Sequence, residues 1–461
     1  MCARVLSVSV AFLMTVSVRA NAGAPVDQGA GEADAPRVEA NGYVDARFEY
    51  EHVDAHGLVP TADLPTLSAL LEANAQLRVP IAPFAFAYAD VSLFAALHSR
   101  AVPSELYVDV TARPWLTLLA GRKRVIWGAG FAFNPTDLLN PPKDPTDPTL
   151  QRAGAWMLRA EAPFEKFTLT ALASPVVAAD GAVASGRYLA AARGYALIED
   201  ADLNLVYYFS NRYGSDDDFR TKSRLGLSAS RFFFRAFELH AEALFALGTT
   251  RRYGDPAAAS GAFPAEGSPR LLLDAALPQS RISSKTLYPR IIAGTRRSFG
   301  DESTLSLEYY FQGDGYSPHE FGDFVRLVRQ ANARGDTSAL LSAMASGPEG
   351  LPQRFTFAPL RKHYLIAAYS KPKLFEDWTA TLTLIAGLAD LSGLVSPSVT
   401  FAPEQWLSLT AAAFLPIHGV PVGRACAVTT HAGRCPDGEW YGEFSLIPED
   451  ARLLVEARAF Y

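Results

Sequence analysis

Cysteine is nearly absent, with three in 461 residues, which excludes a disulfide-stapled scaffold or a multi-cysteine metal protein. There is no basic excess. Lys and Arg total 42 against 48 Asp and Glu, a net charge of −6, and this lacks the electrostatic footprint of a nucleic-acid binder. Long apolar runs are missing as well. Beyond the N-terminus no stretch approaches the roughly 18 uncharged apolar residues of a spanning helix. The nearest, Trp378 to Val395, contains several Thr and Asp390. A mean hydropathy close to zero agrees that this is no bundle of transmembrane helices. Disorder is excluded in turn by 49% hydrophobic and 11% aromatic content.

The N-terminus is the exception. Arg4 precedes an apolar run from Val5 to Val18, and Ala20-Asn21-Ala22 is a small-x-small cleavage site. Residues 1–22 therefore read as a secretory signal peptide. Residues 23–37 are rich in Gly, Ala, Pro and Asp without periodicity and read as a flexible periplasmic lead-in. Cleavage leaves Cys426 and Cys435, an even pair in an exported chain, for which a disulfide is expected.

From residue 38 to 461 the dominant signal is two-residue alternation. Ala40, Gly42, Val44, Ala46, Phe48 and Tyr50 share one face, opposite Asn41, Tyr43, Asp45, Arg47 and Glu49. Leu453, Val455, Ala457, Ala459 and Tyr461 oppose Arg452, Glu456 and Arg458. About eighteen such runs recur, an even number. Their connectors alternate between short links, such as Arg113-Pro114 and Pro163-Phe164-Glu165, and long ones, notably 128–153, 248–284, 313–360 and 418–450. Hydrocarbon offers no hydrogen-bond partner, so a spanning sheet must close on itself. The expected fold is all-β: a transmembrane antiparallel barrel of about eighteen strands, with short periplasmic turns and long extracellular loops. Trp115, Trp378 and Trp406 all fall beside short turns, where an aromatic girdle meets the interface.

The chain ends on an alternating strand with Phe460 and a terminal Tyr461. This resembles the C-terminal assembly signature of Gram-negative outer-membrane porin-like barrels, although Phe is the commoner last residue there. The segment 121–142 is similar to a strand and loop in a group of poorly characterised proteobacterial barrels. The matching residues are Gly121, Arg122, Trp127, Gly128, Asn134, Pro135 and Asp137; Lys123 stands where those barrels commonly have Gln. The resemblance implies an outer-membrane location and a channel or transporter, but no substrate; small polar or amphiphilic solutes are the expected cargo. It also implies lipid and the barrel-assembly machinery as partners.

A barrel of this size leaves an aqueous lumen unless something fills it. Alternation places Asp45, Arg47, Glu49, Glu72, Arg78, Arg159, Glu161, Arg193, Glu238, Glu242, Arg290, Arg296, Glu308, Arg361, Arg452, Glu456 and Arg458 on its inner face. Such residues either line the pore or pair up and brace the wall. Arg122-Lys123-Arg124 breaks the alternation, and Arg122 and Arg124 are expected to point inward. The proline-rich loop 128–150 has the stiffness to fold inward and narrow the opening. Ser317-Pro318-His319-Glu320 reads as a capped helix start in the loop 313–360, either plugging or capping the lumen or forming a surface helical hairpin.

No G-x-S-x-G elbow, H-E-x-x-H or Walker-type loop is present, and the expectation is a protein without enzymatic activity, cofactor, metal or nucleic-acid partner. Two alternatives remain open: a surface-exposed binding or structural barrel whose loops are the function, and an outer-membrane hydrolase.

Overall fold

The computed structural model describes residues 38–53, 67–95, 99–140, 154–177, 183–211, 222–234, 236–249, 286–322, 359–417, 442–446 and 449–461. The signal peptide 1–22, the lead-in 23–37, the Cys426–Cys435 pair and most of the loops 248–284, 313–360 and 418–450 lie outside the described residues.

Eighteen strands form one antiparallel sheet. They are β1 (Glu39–Val53), β2 (Leu67–Ala82), β3 (Ala85–Ala95), β4 (Ser99–Arg113), β5 (Leu116–Lys123) and β6 (Ala155–Pro163), then β7 (Phe167–Val177), β8 (Val183–Ile198), β9 (Ala201–Ser210), β10 (Ser223–Phe233), β11 (Phe237–Leu247) and β12 (Leu287–Ser298). The last six are β13 (Thr304–Gln312), β14 (His363–Lys371), β15 (Trp378–Gly387), β16 (Gly393–Glu404), β17 (Leu407–Ile417) and β18 (Glu449–Phe460). Each strand pairs with its sequence neighbours, and β1 pairs with both β2 and β18, so the sheet closes into a barrel without an edge.

The alternation of the sequence becomes an alternation of environment. On β1, Asp45, Arg47, Glu49 and Glu51 are buried, while Phe48 is 55% and Tyr50 47% exposed. On β9, Val206 and Tyr208 are buried and Leu203, Leu205 and Tyr207 are exposed. An exterior made of exposed Leu, Val, Ala and aromatic side chains, over an interior holding the charges, is the inverse of a soluble protein. It is the arrangement that hydrocarbon outside and polar groups inside demand.

The two rims differ. Seven of the eight short turns carry exposed aromatics, Phe84, Trp115, Phe164, Phe234, Phe299, Phe375 and Trp406, with Trp378 just inside. The three tryptophans anticipated there belong to a larger aromatic ring, whose amphipathic members suit a membrane interface. Several short turns also use left-handed backbone at Glu199, Asp200, Phe234, Glu302, Lys373 and Glu376. In the β12–β13 turn, bonds from Lys371 and Ser303 hold the Asp301 carboxyl below the usual carboxylate range.

Closure is fastened by the last residue. Tyr461 N donates to Gly42 O at 3.0 Å and Gly42 N to Tyr461 O at 3.1 Å. The Tyr461 ring lies over Gly42, where a Cβ would collide with it, and its Oη donates to Asn74 O on β2 at 2.8 Å. One side chain thus joins β18, β1 and β2. Tyr461→Phe is expected to cost about 1 kcal/mol through the lost hydrogen bond. Gly42→Val, which displaces the ring, is expected to cost more. Urea unfolding in detergent micelles checks both, and equal stability of all three proteins contradicts the assignment.

Candidate functional site

The site is built from the inner face of the wall and the chain that enters it after β5. Along β5, Leu119, Gly121 and Lys123 point inward; Lys123 Nζ lies 4.2 Å from the Tyr107 ring centre. Arg122 has the opposite parity, yet it is only 9% exposed. It stands in register with Leu106 and Trp156, both exposed on the outside, and its Nε donates to Gly154 O at 2.8 Å. Alternation runs through to Lys123 and hands that residue the inward position. Arg124 lies past the last ladder pair, where alternation no longer binds, and it reaches Asp90 at 3.0 Å and Glu105 at 3.2 Å.

After Arg124 the chain leaves the wall and crosses the interior. Trp127 packs against Tyr208 of β9, in a cluster with Val125, Leu119, Met157, Leu172 and Leu189. Phe133 stacks on Tyr310 of β13 with ring centres 4.7 Å apart, in a second cluster with Ile292, Tyr364, Ile366 and Phe444. One segment thus touches the β5–β9 wall at one point and the β12–β14 wall at another.

Two buried carboxylates hold it there. Glu242 on β11 accepts from Ala129 N at 2.8 Å, Thr136 N at 2.6 Å and Thr136 Oγ1 at 2.7 Å. Gly128, at φ +109°, sits so close that a Cβ would collide with that carboxylate. Glu308 on β13 accepts from Phe131 N and from Ala132 N, the latter at 3.0 Å, and its Oε1 lies 2.9 Å from His240 Nε2. Tyr208 Oη donates to Thr136 O. The turn itself is closed by Asn140, whose Nδ2 donates to Val125 O at 2.6 Å and to Asp137. Of the proline-rich loop 128–150, residues 129–136 bond side chains of β9, β11 and β13, and residues 141–150 lie outside the described residues.

Much of the rest of the inner face is charged, and the charges stand side by side in pairs. Asp45 pairs with Arg458 at 3.1 Å and Arg47 with Glu456 across the β1–β18 seam, and Glu456 also pairs with Arg458 at 3.2 Å along β18. Glu51 and Arg452 are in register at the top of that seam, and Glu49 lies between them and Arg47 on the same buried face. Tyr43 Oη donates to Glu72 at 2.9 Å. Arg78 lies 3.6 Å from Glu39 and stacks over Phe86 at 4.4 Å. Arg159 lies 3.8 Å from Glu161, and Arg193 bonds Asn204 at 2.8 Å. Arg296 lies 3.7 Å from Glu238. The charges are mostly ion-paired with neighbouring strands, which braces the wall and leaves the field inside local.

Arg290 and Arg361 do something else: they tie loops down at the long-loop end. Arg290 bonds Asp314, 2.9 Å away, in the turn after β13. Arg361 reaches Asp390 at 3.4 Å and lies over Phe321 at 4.5 Å. Phe321 belongs to the helix that starts at the expected capping box: Ser317 N donates to Glu320 at 2.7 Å and Glu320 N to Ser317 Oγ at 3.3 Å.

A residue without any sequence signal completes this end. The 3-10 turn Glu443–Leu446 precedes β18, and Glu443 is fully enclosed. Its carboxyl oxygens lie 2.7 and 2.6 Å from Tyr364 Oη, and its own N donates to Asp390 at 2.9 Å. Burial pushes its carboxyl up to about 7, against the bonds from Tyr364 and Leu360 N. Below the unfolded-chain pKa near 4.5 both states hold the proton, so the anchor is at full strength. As pH rises from there to 7 the unfolded chain releases its proton first, and the anchor weakens by about 3 kcal/mol. Thermal melting is expected to rise from pH 8 to pH 5. Glu443→Gln should flatten that slope, and an unchanged slope contradicts the assignment.

No protein-family model matches this sequence, and no curated protein is detectably similar to it. Among solved structures, the barrel is similar to engineered forms of the porin of Rhodopseudomonas blastica. One triple mutant aligns with a TM-score of 0.44 at 10% identity, covering 92% of this chain and 100% of that one. Another aligns with a TM-score of 0.43, again at 10% identity and with the same coverage.

Proposed function

We propose that this protein is an outer-membrane channel of the porin type, which passes small polar or amphiphilic solutes through a lumen narrowed by residues 124–140. The observation that carries the reading is the double carboxylate latch. Glu242 and Glu308 spend buried charge on holding a backbone segment across the interior of the barrel. A barrel that served only as an anchor for loops has no use for that expense at mid-height. The lining supports the solute class. Paired charges from β18 through β4 adjoin an aromatic and aliphatic sector of Tyr310, Tyr364, Phe414 and Phe444, together with Phe133, and Arg452 lies 4.3 Å from the Phe414 ring where the two meet. The aromatic girdle at the short turns and the closing Tyr461 support assembly into the outer membrane through the C-terminal strand.

Liposome swelling tests the reading. Vesicles carrying the purified protein are expected to admit small sugars and amino acids and to exclude larger oligosaccharides. Swelling with none of these solutes, in the native protein and in a variant lacking both latch carboxylates, overturns it.

A further inference from the structure

The inner-face arginines are largely ion-paired, but two arginines face the other way. Arg231 on β10 and Arg297 on β12 stand in register with the outward residues Leu239 and Phe237 of β11. Both are exposed, and each lays its guanidinium over a phenylalanine ring: Arg231 over Phe233 at 5.4 Å, Arg297 over Phe299 at 5.0 Å. Neither has an ion-pair partner among the described residues. Their Cα atoms are two strands apart, about 10 Å, and one outward row apart, about 7 Å, so both side chains can reach one small group between them.

Directly on the long-loop side of this pair the outer wall sinks into an apolar groove of about 620 Å³ across β7 to β12. Its floor is made of small residues, Gly194, Ala229, Ala241 and Ala243, and Leu205 and Leu227 stand beside it. Ala229 precedes Arg231 by one outward row on the same strand, and Ala229 pairs with Ala241. Arg231 therefore stands one outward row beyond the edge of the groove at Ala229, near the aromatic short-turn rim, and neither arginine is part of the groove lining itself. An arginine on the lipid face near an interface costs about 0–1 kcal/mol and reaches for headgroups. Guanidinium groups bind phosphate oxygens in a bidentate fork.

We propose that this groove and arginine pair bind one phospholipid of the periplasmic-facing leaflet, with an acyl chain along Gly194, Ala229 and Ala241 and the phosphate diester between Arg231 and Arg297. The proposal rests on the outer-membrane reading above. The charge complementarity selects a phosphate-bearing lipid over a second copy of this chain, because the outward residues of the groove, such as Leu169, Leu203, Leu227 and Ala243, are apolar and the two cations stand just beyond its edge.

Native mass spectrometry of the detergent-purified full chain tests it, with dioleoyl phosphatidylglycerol and the phosphate-free dioleoylglycerol as probes. Phosphatidylglycerol is expected to stay bound to the native protein and dioleoylglycerol to be lost. Arg231→Gln with Arg297→Gln is expected to lower phosphatidylglycerol retention about tenfold. Ala241→Trp, which fills the groove and leaves both arginines, is expected to lower it as well; Ala243→Leu reads the same contact with a smaller side chain. Arg231→Lys with Arg297→Lys keeps the charge and is expected to retain an intermediate amount. Equal phosphatidylglycerol retention by the native and double-Gln proteins overturns the site, and so does a protein dimer that Ala241→Trp abolishes without affecting lipid. A chain that stays monomeric and soluble without detergent defeats the membrane reading itself. A chain that needs detergent but binds lipid without regard to these residues defeats only the lipid site.

Discussion

Replacing Glu242 and Glu308 together by Ala is expected to raise single-channel conductance in planar bilayers by at least about twofold, because pore conductance follows the width at the narrowest point. The two carboxylates accept six bonds from residues 129–136. Hydrogen bonds to a charged acceptor contribute about 1.5–3 kcal/mol each. Their joint removal also leaves buried N–H groups without acceptors, so the segment gains more by moving into the aqueous lumen than by staying. Packing of Trp127 on Tyr208 and of Phe133 on Tyr310 opposes release, and for this reason the single variants are expected to give smaller, noisier increases. Glu242→Gln preserves shape and can accept two of its bonds, so it should fall between the native protein and Glu242→Ala. An unchanged conductance from a folded double variant removes the segment from the permeation path.

Glu456→Ala is expected to be the most destabilising single change in the wall. Glu456 lies between Arg47 and Arg458, and its loss leaves two guanidinium groups enclosed with one fewer counter-charge. Breaking a buried pair from one side costs about 3–5 kcal/mol. Replacing the pair from both sides, Arg47→Met with Glu456→Leu, should recover most of that loss, since a well-packed apolar pair is often equal in stability to the ionic one. Urea midpoints in micelles measure both. A cost for Glu456→Ala below about 1 kcal/mol, the range of exposed pairs, means that water screens the seam.

The strands were legible because the barrel imposes one rule on every one of them. Hydrocarbon outside and polar groups inside force period-two patterning, and all eighteen runs anticipated from it are strands of the structure, including the last, which closes against the first. The rhythm of short and long links, and the tryptophans beside the short ones, follow from the same asymmetry. Residues 124–140 were legible only as a stiff loop capable of turning inward. Their anchors were not, because Glu242 and Glu308 lie 106 and 176 positions from the groups they hold, and nothing local in β11 or β13 marks them as latches. Partners across the seam are further still: Arg47 and Glu456 are 409 residues apart. The parity of Arg122 was hidden by three consecutive bases, and only the ladder with β4 and β6 fixes it. Glu443 gave no signal because a 3-10 turn has no two-residue period to reveal it.

Spin labels placed singly along β9 test the central claim most directly. Labels at 203, 205 and 207 are expected to collide with dissolved oxygen and to be shielded from a water-soluble nickel chelate, as groups in hydrocarbon are. Labels at 202 and 204 are expected to show the reverse. Accessibility to the chelate at all five positions, or at none, contradicts a closed barrel with lipid against one face of every strand and water against the other.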